Sequence, residues 1–263
     1  MIIDAHCHVW PNDIAASVVA SDPVGLKAMH DGTLDGLIRT MDDAGIDRAM
    51  CLGVATVART VNKTNEFIGS VDRRRFIPFG TVHPDLSVEE NLRSLKENGI
   101  IGVKLHPLFQ EFDFSSARVI ELLHAMAERG LVVIAHAGSG GNESENERGS
   151  PRQLARAIEA VPELRFIACH FGGYQCLDEA ERFLVGSTAF LETSWPPRLS
   201  DLDQVRVLEI LRRHGISRIV FGSDWPMADP ANEIATIRSL ALDPAEEEGI
   251  LGGNLARLLQ ISG

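Results

Sequence analysis

The sequence opens with Met1-Ile2-Ile3-Asp4-Ala5-His6-Cys7-His8, a short apolar run that leads into two histidines separated by one residue. In an extended strand alternate side chains point to the same face, so His6 and His8 share a face and lie about 6.6–7 Å apart along the strand. Two imidazoles at one strand end can supply part of the coordination shell of a divalent metal. The remaining ligands would have to come from elsewhere in the chain.

Length and composition narrow the class of protein. The chain has 263 residues, of which 44% are hydrophobic, enough for a sizeable core, and its formal net charge of −12 argues against nucleic acid or an anionic membrane as the main partner. The longest apolar runs fall far below the roughly 18–20 residues of a membrane span, and no signal-peptide pattern is visible. The four cysteines share no CxxC spacing, and several lie in or beside predicted buried strands. We therefore expect reduced thiols and a cytoplasmic location.

A repeated unit, a short apolar strand followed by a helix, runs through the whole chain. Near-continuous apolar strands indicate burial on both faces and hence a parallel sheet. Eight such units predict an α/β fold, a (β/α)8 TIM barrel, as one domain over residues 1–263 with an extra C-terminal helix. No phosphate-binding glycine fingerprint follows the first strand, which weakens a dinucleotide-binding alternative. The predicted strands lie near 1–8, 48–54, 76–83, 100–106, 131–136, 165–170, 189–194 and 218–224.

The predicted helices complete these units. A capping-box pattern, Ser87 with Glu90, begins one of them, and Gly45 ends another. The segments 9–32 and 138–149 are predicted to be irregular because of their Gly, Pro and Asn content. The predicted helices span about 33–44, 58–71, 87–97, 116–129, 151–160, 175–184, 201–214, 231–242 and 244–260.

Ionisable residues recur at the carboxyl ends of the predicted strands, where barrels of this class build active sites. Strand alternation turns Asp4 to the same face as His6 and His8, and turns Lys104 and Asp224 inward. Buried ionisable groups are costly unless they are paired or bind a metal, so a metal is favoured over a structural polar network around Asp4, Lys104 and Asp224. Six of the nine histidines stand at such ends, namely His6, His8, His83, His106, His136 and His170.

Several motifs then occur in an order that resembles one protein family. Taken together they resemble the amidohydrolase superfamily, specifically its amidohydrolase-related branch of compact barrels, which includes hydrolases, lactonases and non-oxidative decarboxylases. The resemblance covers the whole chain. The motifs are Asp-Ala-His-Cys-His (4–8), Gly-Val-Lys-Leu-His-Pro (102–107), Ala-His-Ala-Gly (135–138), Cys-His-Phe-Gly-Gly (169–173), Phe-Gly-Ser-Asp-Trp-Pro (221–226) and Ile-Leu-Gly-Gly-Asn-Leu-Ala-Arg-Leu-Leu (250–259).

The resemblance implies a metal site and a mechanism. His6, His8, His136 and Asp224 would be the metal ligands, with one zinc ion expected and manganese or iron as alternatives. Asp224 would also move the proton of an attacking water, and His170 would orient that water or stabilise the developing oxyanion. Two-metal relatives use a carboxylated lysine or a glutamate as a bridging ligand. Lys104 therefore either serves a second ion or stays cationic and pairs with a substrate carboxylate or with Asp4.

The implied activity is that of a metal-dependent hydrolase acting on a small ester, lactone or amide. The alternative is a non-oxidative decarboxylase of a small carboxylic acid, aromatic acids included, and Lys104, His106 and Trp195 are the candidate substrate-binding residues. A TatD-like nuclease is less favoured, since Lys104 stands where its acidic ligand is expected. A barrel without catalytic activity is disfavoured because all the expected ligand positions are filled. The predicted partner is a small-molecule substrate, without nucleic acid or membrane, and a homo-oligomer is left open.

Overall fold

Eight short strands in chain order form the sheet of this protein. The computed structural model describes residues 1–21 and 25–261, with the backbone alone for residues 143–144. Neighbouring strands pair in parallel from the third to the seventh. The strands are β1 (Ile3–His8), β2 (Arg48–Leu52), β3 (Phe76–Thr81), β4 (Gly102–Leu105), β5 (Val132–Ala135), β6 (Arg165–Ala168), β7 (Phe190–Glu192) and β8 (Ile219–Val220).

The first strand is also adjacent to the chain that carries the last one. Ala5 N donates to Phe221 O at 2.9 Å, and Cys7 forms a parallel bridge with Trp225. Strands one to eight in order, with helices between them, confirm the predicted (β/α)8 TIM-barrel class.

Twelve α-helices alternate with or follow these strands in the described part of the chain. A π-helical segment, Gly249–Gly253, joins the last two, so the predicted C-terminal helix at 244–260 is present. The helices are α1 (Asn12–Ala20), α2 (Leu34–Ala44), α3 (Val61–Gly69), α4 (Val88–Glu97), α5 (Ala117–Ala127), α6 (Glu143–Asn146), α7 (Pro151–Ala160), α8 (Leu177–Phe183), α9 (Gln204–His214), α10 (Pro230–Ser239), α11 (Pro244–Glu248) and α12 (Asn254–Leu259). None of the helices in the described ranges has the length and apolar character that crossing a membrane requires.

The chain comprises two compact units. Unit 1 contains residues 1–50, 74–76 and 192–263, and unit 2 contains residues 51–73 and 77–191. Unit 1 therefore carries β1 and β8, whereas unit 2 carries β4, β5 and β6. The single domain expected over residues 1–263 stays a prediction.

Local signals account for several helix ends. Ser87 Oγ accepts from Glu90 N at 3.2 Å and Glu90 Oε2 accepts from Ser87 N at 2.9 Å, so the predicted capping box begins α4. Gly45 ends α2 with a φ of 69°, a left-handed conformation that glycine adopts without a steric penalty.

Helix α1 lies in the segment 9–32 that was predicted to be irregular, and this prediction was wrong. Its sequence, Asn-Asp-Ile-Ala-Ala-Ser-Val-Val-Ala, lacks a regular apolar face, and only Ala15 is buried. Without a buried stripe there is no helical period to detect. Residues 22–24 of the same segment lie outside the described residues. The short helix α6 lies in the other segment predicted as irregular, 138–149, where Asn142 and Glu145 form a capping box.

Strand β8 is much shorter than the predicted strand 218–224, since it covers only Ile219–Val220. Asp224 has a φ of 63°, a left-handed conformation outside any strand. The strand-alternation argument for the direction of Asp224 was therefore wrong, although the residue does follow the carboxyl end of the strand. His170 likewise follows β6 with a φ of 57° and does not extend the strand.

A buried amide joins three elements of unit 2. Asn65, on α3, has no exposed surface. Its Nδ2 donates to Thr81 O at 3.0 Å and to Ser94 Oγ at 3.0 Å, and its Oδ1 accepts from Thr81 N at 2.8 Å. These bonds connect α3 with the end of β3 and with α4.

Replacement of Asn65 by Ala should lower the free energy of unfolding by about 2–4 kcal/mol, because buried backbone groups of Thr81 would lose their partners. Urea unfolding followed by circular dichroism measures the change. Asn232→Ala, at an exposed position of α10, is the matched control and should stay within about 0.5 kcal/mol of the wild type. Equal stability of the two variants would contradict this account.

Candidate metal centre

Three predicted ligands converge in unit 1. His6 Nε2 lies 3.1 Å from His8 Nε2 and 3.2 Å from Asp224 Oδ1. His8 Nε2 lies 3.7 Å from the same carboxylate oxygen. His6 is almost fully buried and Asp224 is 9% exposed. Three ligating atoms from residues 6, 8 and 224 therefore face a common point.

The donor set and its spacing fit a divalent metal. Bonds of about 2.0–2.1 Å in tetrahedral geometry place neighbouring ligand atoms about 3.4 Å apart. The separations of 3.1, 3.2 and 3.7 Å bracket that value. Two imidazoles and a carboxylate are ligands that zinc, manganese and iron(II) accept. When bound, such an ion would be held by His6, His8 and Asp224.

Glu192 determines which nitrogen of His6 is available to a metal. Its Oε2 lies 3.0 Å from His6 Nδ1, and because a carboxylate only accepts, the ring proton must sit on Nδ1. The lone pair of His6 Nε2 is then left for the metal, as in carboxylate–histidine–metal arrangements. Ser194 supports the carboxylate, since its Oγ donates to Glu192 Oε2 at 2.8 Å and its backbone N–H donates to Oε1.

The sequence reasoning did not select Glu192, although a signal was present. Glu192 is the acidic residue in the otherwise apolar strand β7 and is fully buried. A buried carboxylate requires a partner, and a neighbouring histidine is one of the few that fit. Gly222 provides the space for it, because a Cβ at that position would collide with the carboxylate of Glu192.

Asp4 holds the backbone on both sides of the ligand cluster. Its Oδ1 accepts from His6 N at 2.9 Å and from Ser223 N at 3.0 Å, and its Oδ2 accepts from Ser223 Oγ at 2.6 Å. Burial raises the pKa of Asp4, and the bonds from Ser223 and His6 oppose that rise. Asp4 was expected to face inward with the histidines. Its bonds give it the role of fixing the backbone segments that carry the ligands.

Trp10 and Trp225 flank the cluster on the same unit. The Trp10 ring stacks on the His8 ring at a centroid distance of 6.1 Å. Trp225, which follows Asp224, is fully buried, and its backbone N–H donates to His6 O at 3.1 Å. The backbone pairing of Trp225 with His6 on one side, and the bonds of Ser223 to Asp4 on the other, therefore hold Asp224 in its left-handed conformation.

A second set of predicted residues lies together in unit 2. His136 Nε2 lies 3.1 Å from Ser139 O, and its Nδ1 lies 3.2 Å from His170 Nε2. Because a carbonyl only accepts, His136 carries its proton on Nε2, and His170 donates to the lone pair on His136 Nδ1. Burial and the Lys104 ammonium lower the pKa of His136 to about 3, so the ring is neutral at pH 7. A neutral imidazole is the form that binds metals.

The backbone at His170 is unusual. His170, Phe171 and Gly172 have φ values of 57°, 53° and 83°, three consecutive left-handed residues. Each non-glycine residue in that region costs of order 1–3 kcal/mol, and such conformations concentrate at functional sites. Glycine at position 172 lets the backbone pack closely against Leu184, because a Cβ there would meet the Leu184 side chain.

The three predicted substrate-binding residues have different surroundings. Lys104 has no exposed surface, and its Nζ donates to Cys169 Sγ at 3.2 Å. His106 is 7% exposed and its ring lies parallel to those of His136 and Phe109. Trp195 is half-buried in unit 1, just after Ser194. The roles assigned to these residues, and the place of His136 and His170 beside the first cluster, stay predictions.

The family follows from comparison of the whole sequence. The sequence model of the amidohydrolase family matches residues 3–261. The chain belongs to that family. Amidohydrolases are metal-dependent enzymes, so the cluster of His6, His8 and Asp224 is the metal site to be expected of a member. No curated protein matches the chain.

Solved structures of similar fold agree with this family. An uncharacterized TIM-barrel protein from Bordetella bronchiseptica has a TM-score of 0.76 at 18% identity, with 98% of each chain covered. A dihydroxybenzoic acid decarboxylase from Polaromonas, with bound manganese and the inhibitor 2-nitroresorcinol, has a TM-score of 0.72 at 14% identity. The match covers 98% of this chain and 96% of the decarboxylase. A probable 2-pyrone-4,6-dicarboxylic acid hydrolase from Acinetobacter baumannii, with citric acid bound, has a TM-score of 0.69 at 17% identity, with 99% of each chain covered. At these identities the likeness concerns the fold.

Replacement of Glu192 by Gln should weaken metal affinity about 10–100-fold. The amide can donate to His6 Nδ1, which would move the ring proton to Nε2 and block the ligand lone pair. Competition with a chromogenic chelator measures the affinity. Glu209→Gln, at an exposed position of α9, is the control with the same loss of charge, and equal affinities in both variants would refute the role of Glu192.

A second buried glutamate, Glu233 on α10, supports the chain that follows Trp195. Both of its carboxylate oxygens accept from Leu199 N, at 3.2 and 3.1 Å. Burial, together with the charges of Glu192 and Asp4, raises the pKa of Glu233 to about 8, against the opposing effect of the bond from Leu199. Glu233 is therefore protonated at neutral pH in the folded protein.

This raised pKa predicts how stability varies with pH. Below the ordinary value of 4.5, Glu233 is protonated in both the folded and unfolded states. Between 4.5 and about 8 only the unfolded state ionises, so this group's contribution to stability falls as pH rises, by at most about 1.4 kcal/mol per pH unit. Glu233→Gln cannot ionise, so its stability relative to the wild type should increase from pH 5 to pH 8.

Urea unfolding at pH 5, 6.5 and 8, at one fixed metal load, measures the difference between the two proteins. Glu248→Gln, an exposed position on α11, should show no such trend. A difference between Glu233→Gln and wild type that is constant over this range would contradict the raised pKa.

Proposed function

We propose that this protein is a metal-dependent hydrolase that uses an activated water to cleave a small-molecule ester, lactone or amide. The observation that carries the proposal is the convergence of His6 Nε2, His8 Nε2 and Asp224 Oδ1 within 3.7 Å of one another. The proton held on His6 Nδ1 by Glu192 supports it, since it leaves Nε2 free to bind an ion.

The expected ion is one zinc, with manganese or iron(II) as alternatives. A bound divalent ion lowers the pKa of a water from 15.7 toward about 7. The neutral state of His136 supports its predicted place as a further ligand.

The chain's own residues supply the proton transfers. Asp224 retains some exposed surface and has a carboxylate oxygen directed at the histidines, so it can accept the proton of the attacking water and return it to the leaving group. His170 donates from Nε2 to His136 Nδ1 in the metal-free protein. With an ion on that nitrogen, the same N–H would instead be able to donate to a developing oxyanion. Lys104 and Trp195 are the proposed substrate contacts.

A non-oxidative decarboxylase is the second candidate. It is favoured by the likeness to a dihydroxybenzoic acid decarboxylase at a TM-score of 0.72, and to a 5-carboxyvanillate decarboxylase from Sphingomonas paucimobilis at the same score. In that reaction a carbon–carbon bond to a carboxylate is broken and carbon is protonated, so CO2 is released. The same ligand set would serve both reactions.

One experiment separates the two reactions. Metal-depleted protein is reloaded with Zn2+, Mn2+ or Fe2+ and incubated with lactones, esters, amides and aromatic carboxylic acids, while acid release and CO2 release are recorded in parallel. Acid release supports the hydrolase, CO2 release replaces it with the decarboxylase, and no metal uptake refutes both. Two metal equivalents per chain, one of them lost in Lys104→Ala, would replace the single-metal proposal.

Asp224→Asn should retain the fold and much of the metal while kcat falls about 10²–10⁴-fold, because an amide cannot take the proton. Metal analysis and steady-state kinetics on the substrate found above measure both quantities. Asp113→Asn, at an exposed position, should keep full activity. Near-normal turnover by Asp224→Asn would refute the assigned role, and unchanged metal content in His136→Ala would remove that residue from the ligand set.

A further inference from the structure

Three rings at the ends of β4 and β5 lie parallel to one another. The His106 ring is stacked on Phe109 at a centroid distance of 3.8 Å and an interplanar angle of 3°. On its other side it is stacked on His136 at 4.3 Å and 8°. His106 therefore has a ring on each of its two faces, and the order of the stack is Phe109, His106, His136.

The turn that carries His106 and Phe109 is anchored by a buried glutamine. His106 N donates to Gln110 Oε1 at 2.8 Å, and Gln110 N donates to His106 O at 2.9 Å. Gln110 Nε2 in turn donates to Val82 O at 2.7 Å and to Ala55 O at 3.1 Å. Gln110 is only 2% exposed. The rings of His106 and Phe109 thus rest on a turn that is tied to two other loops of unit 2.

The orientation of His136 depends on this support. Its edge contacts, Nε2 with Ser139 O and Nδ1 with His170 Nε2, fix the ring's rotation within its own plane. They do not fix the tilt of that plane. The parallel His106 ring lies against one face at 4.3 Å and restricts the tilt. On the neutral ring, Nδ1 is the nitrogen that can bind a metal. The direction of its lone pair therefore depends on the edge contacts and on the stack with His106.

We propose that His106 is a positioning residue that sets the ring plane of His136, and that it does so through the flat face of its ring. Its Nδ1 accepts from Phe109 N at 3.4 Å, a contact within the turn that does not involve His136. With rings on both faces it has no face to offer a flat substrate, so the substrate contact expected for His106 gives way to this role. The inference rests on the proposed metal function only where metal affinity is the readout.

The test compares two substitutions that keep or remove the ring. His106→Phe keeps a flat ring without nitrogens, and His106→Ala removes the ring. His106→Ala should weaken zinc affinity about 10–100-fold, the usual effect of losing a residue that orients a metal ligand. His106→Phe should stay within about threefold of the wild type in zinc affinity and in KM. His124→Phe, on the outer face of α5 and bonded there to Glu163, is the matched control.

A second readout needs no metal. In the metal-free protein, the side-chain nitrogen and proton resonances of His136 should keep the single tautomer with the proton on Nε2 in His106→Phe. In His106→Ala they should shift toward averaged values. Far-ultraviolet circular dichroism confirms that each variant is folded.

The outcomes are decisive in either direction. Equal zinc affinity and unchanged His136 resonances in His106→Ala would overturn the positioning role. Equal losses in both variants would show that a nitrogen of His106 is required, and a higher KM with normal zinc affinity in His106→Phe would restore the substrate contact. A wild type that takes up no metal would refute the proposed function alone, since the resonances of His136 still test the stack.

Discussion

The carboxylate of Asp4 is the constraint on which the candidate metal centre depends. It accepts from His6 N on one side and from Ser223 N and Oγ on the other, at 2.6–3.0 Å. One side chain thus ties the strand that carries two ligands to the segment that carries the third. Because β8 ends at Val220, the regular strand does not hold Asp224. The bonds of Asp4 and the backbone pairing of Trp225 with His6 do so instead.

Unit 1 buries several carboxyl groups. Asp4, Glu192 and Glu233 are each at most 1% exposed. Asp4 is compensated by hydrogen-bond donors and Glu192 by His6 and Ser194, while Glu233 remains protonated at neutral pH. Burial of uncompensated carboxylates would be strongly destabilising. A divalent cation at His6, His8 and Asp224 would add favourable charge to the same unit, so binding of metal and stability of this unit are physically linked.

Each unit also contains a histidine whose proton is fixed by its neighbour. Glu192 places the proton of His6 on Nδ1, whereas Ser139 O places that of His136 on Nε2. The unprotonated nitrogens, His6 Nε2 and His136 Nδ1, are then defined before any ion binds, and the second of them accepts from His170 in the metal-free protein. Preorganised lone pairs reduce the reorganisation that metal binding requires, which is why residues that contact ligands matter nearly as much as the ligands themselves.

Much of the architecture could be predicted because the signals are local. Each strand is an apolar run, Ser87 with Glu90 begins a helix, and Gly45 ends another. The order of the elements could therefore be predicted from the sequence. Helix α1 could not be predicted, since it buries only Ala15 and has no apolar period. The placement of histidines at strand ends could likewise be predicted, because it depends only on the positions of residues along the chain.

The sequence by itself therefore determined the parallel barrel class, the residues that stand at the strand ends and the pairing of His6 with His8 on one face. Only the tertiary structure decided that Glu192 orients His6, that Asp224 is held in a left-handed conformation, and that His106 lies between two rings. The reason is distance along the chain: Glu192 and His6 are 186 residues apart and Asp4 and Ser223 are 219 apart. No periodicity or spacing encodes contacts of that range, whereas a folded backbone brings the atoms within 3 Å.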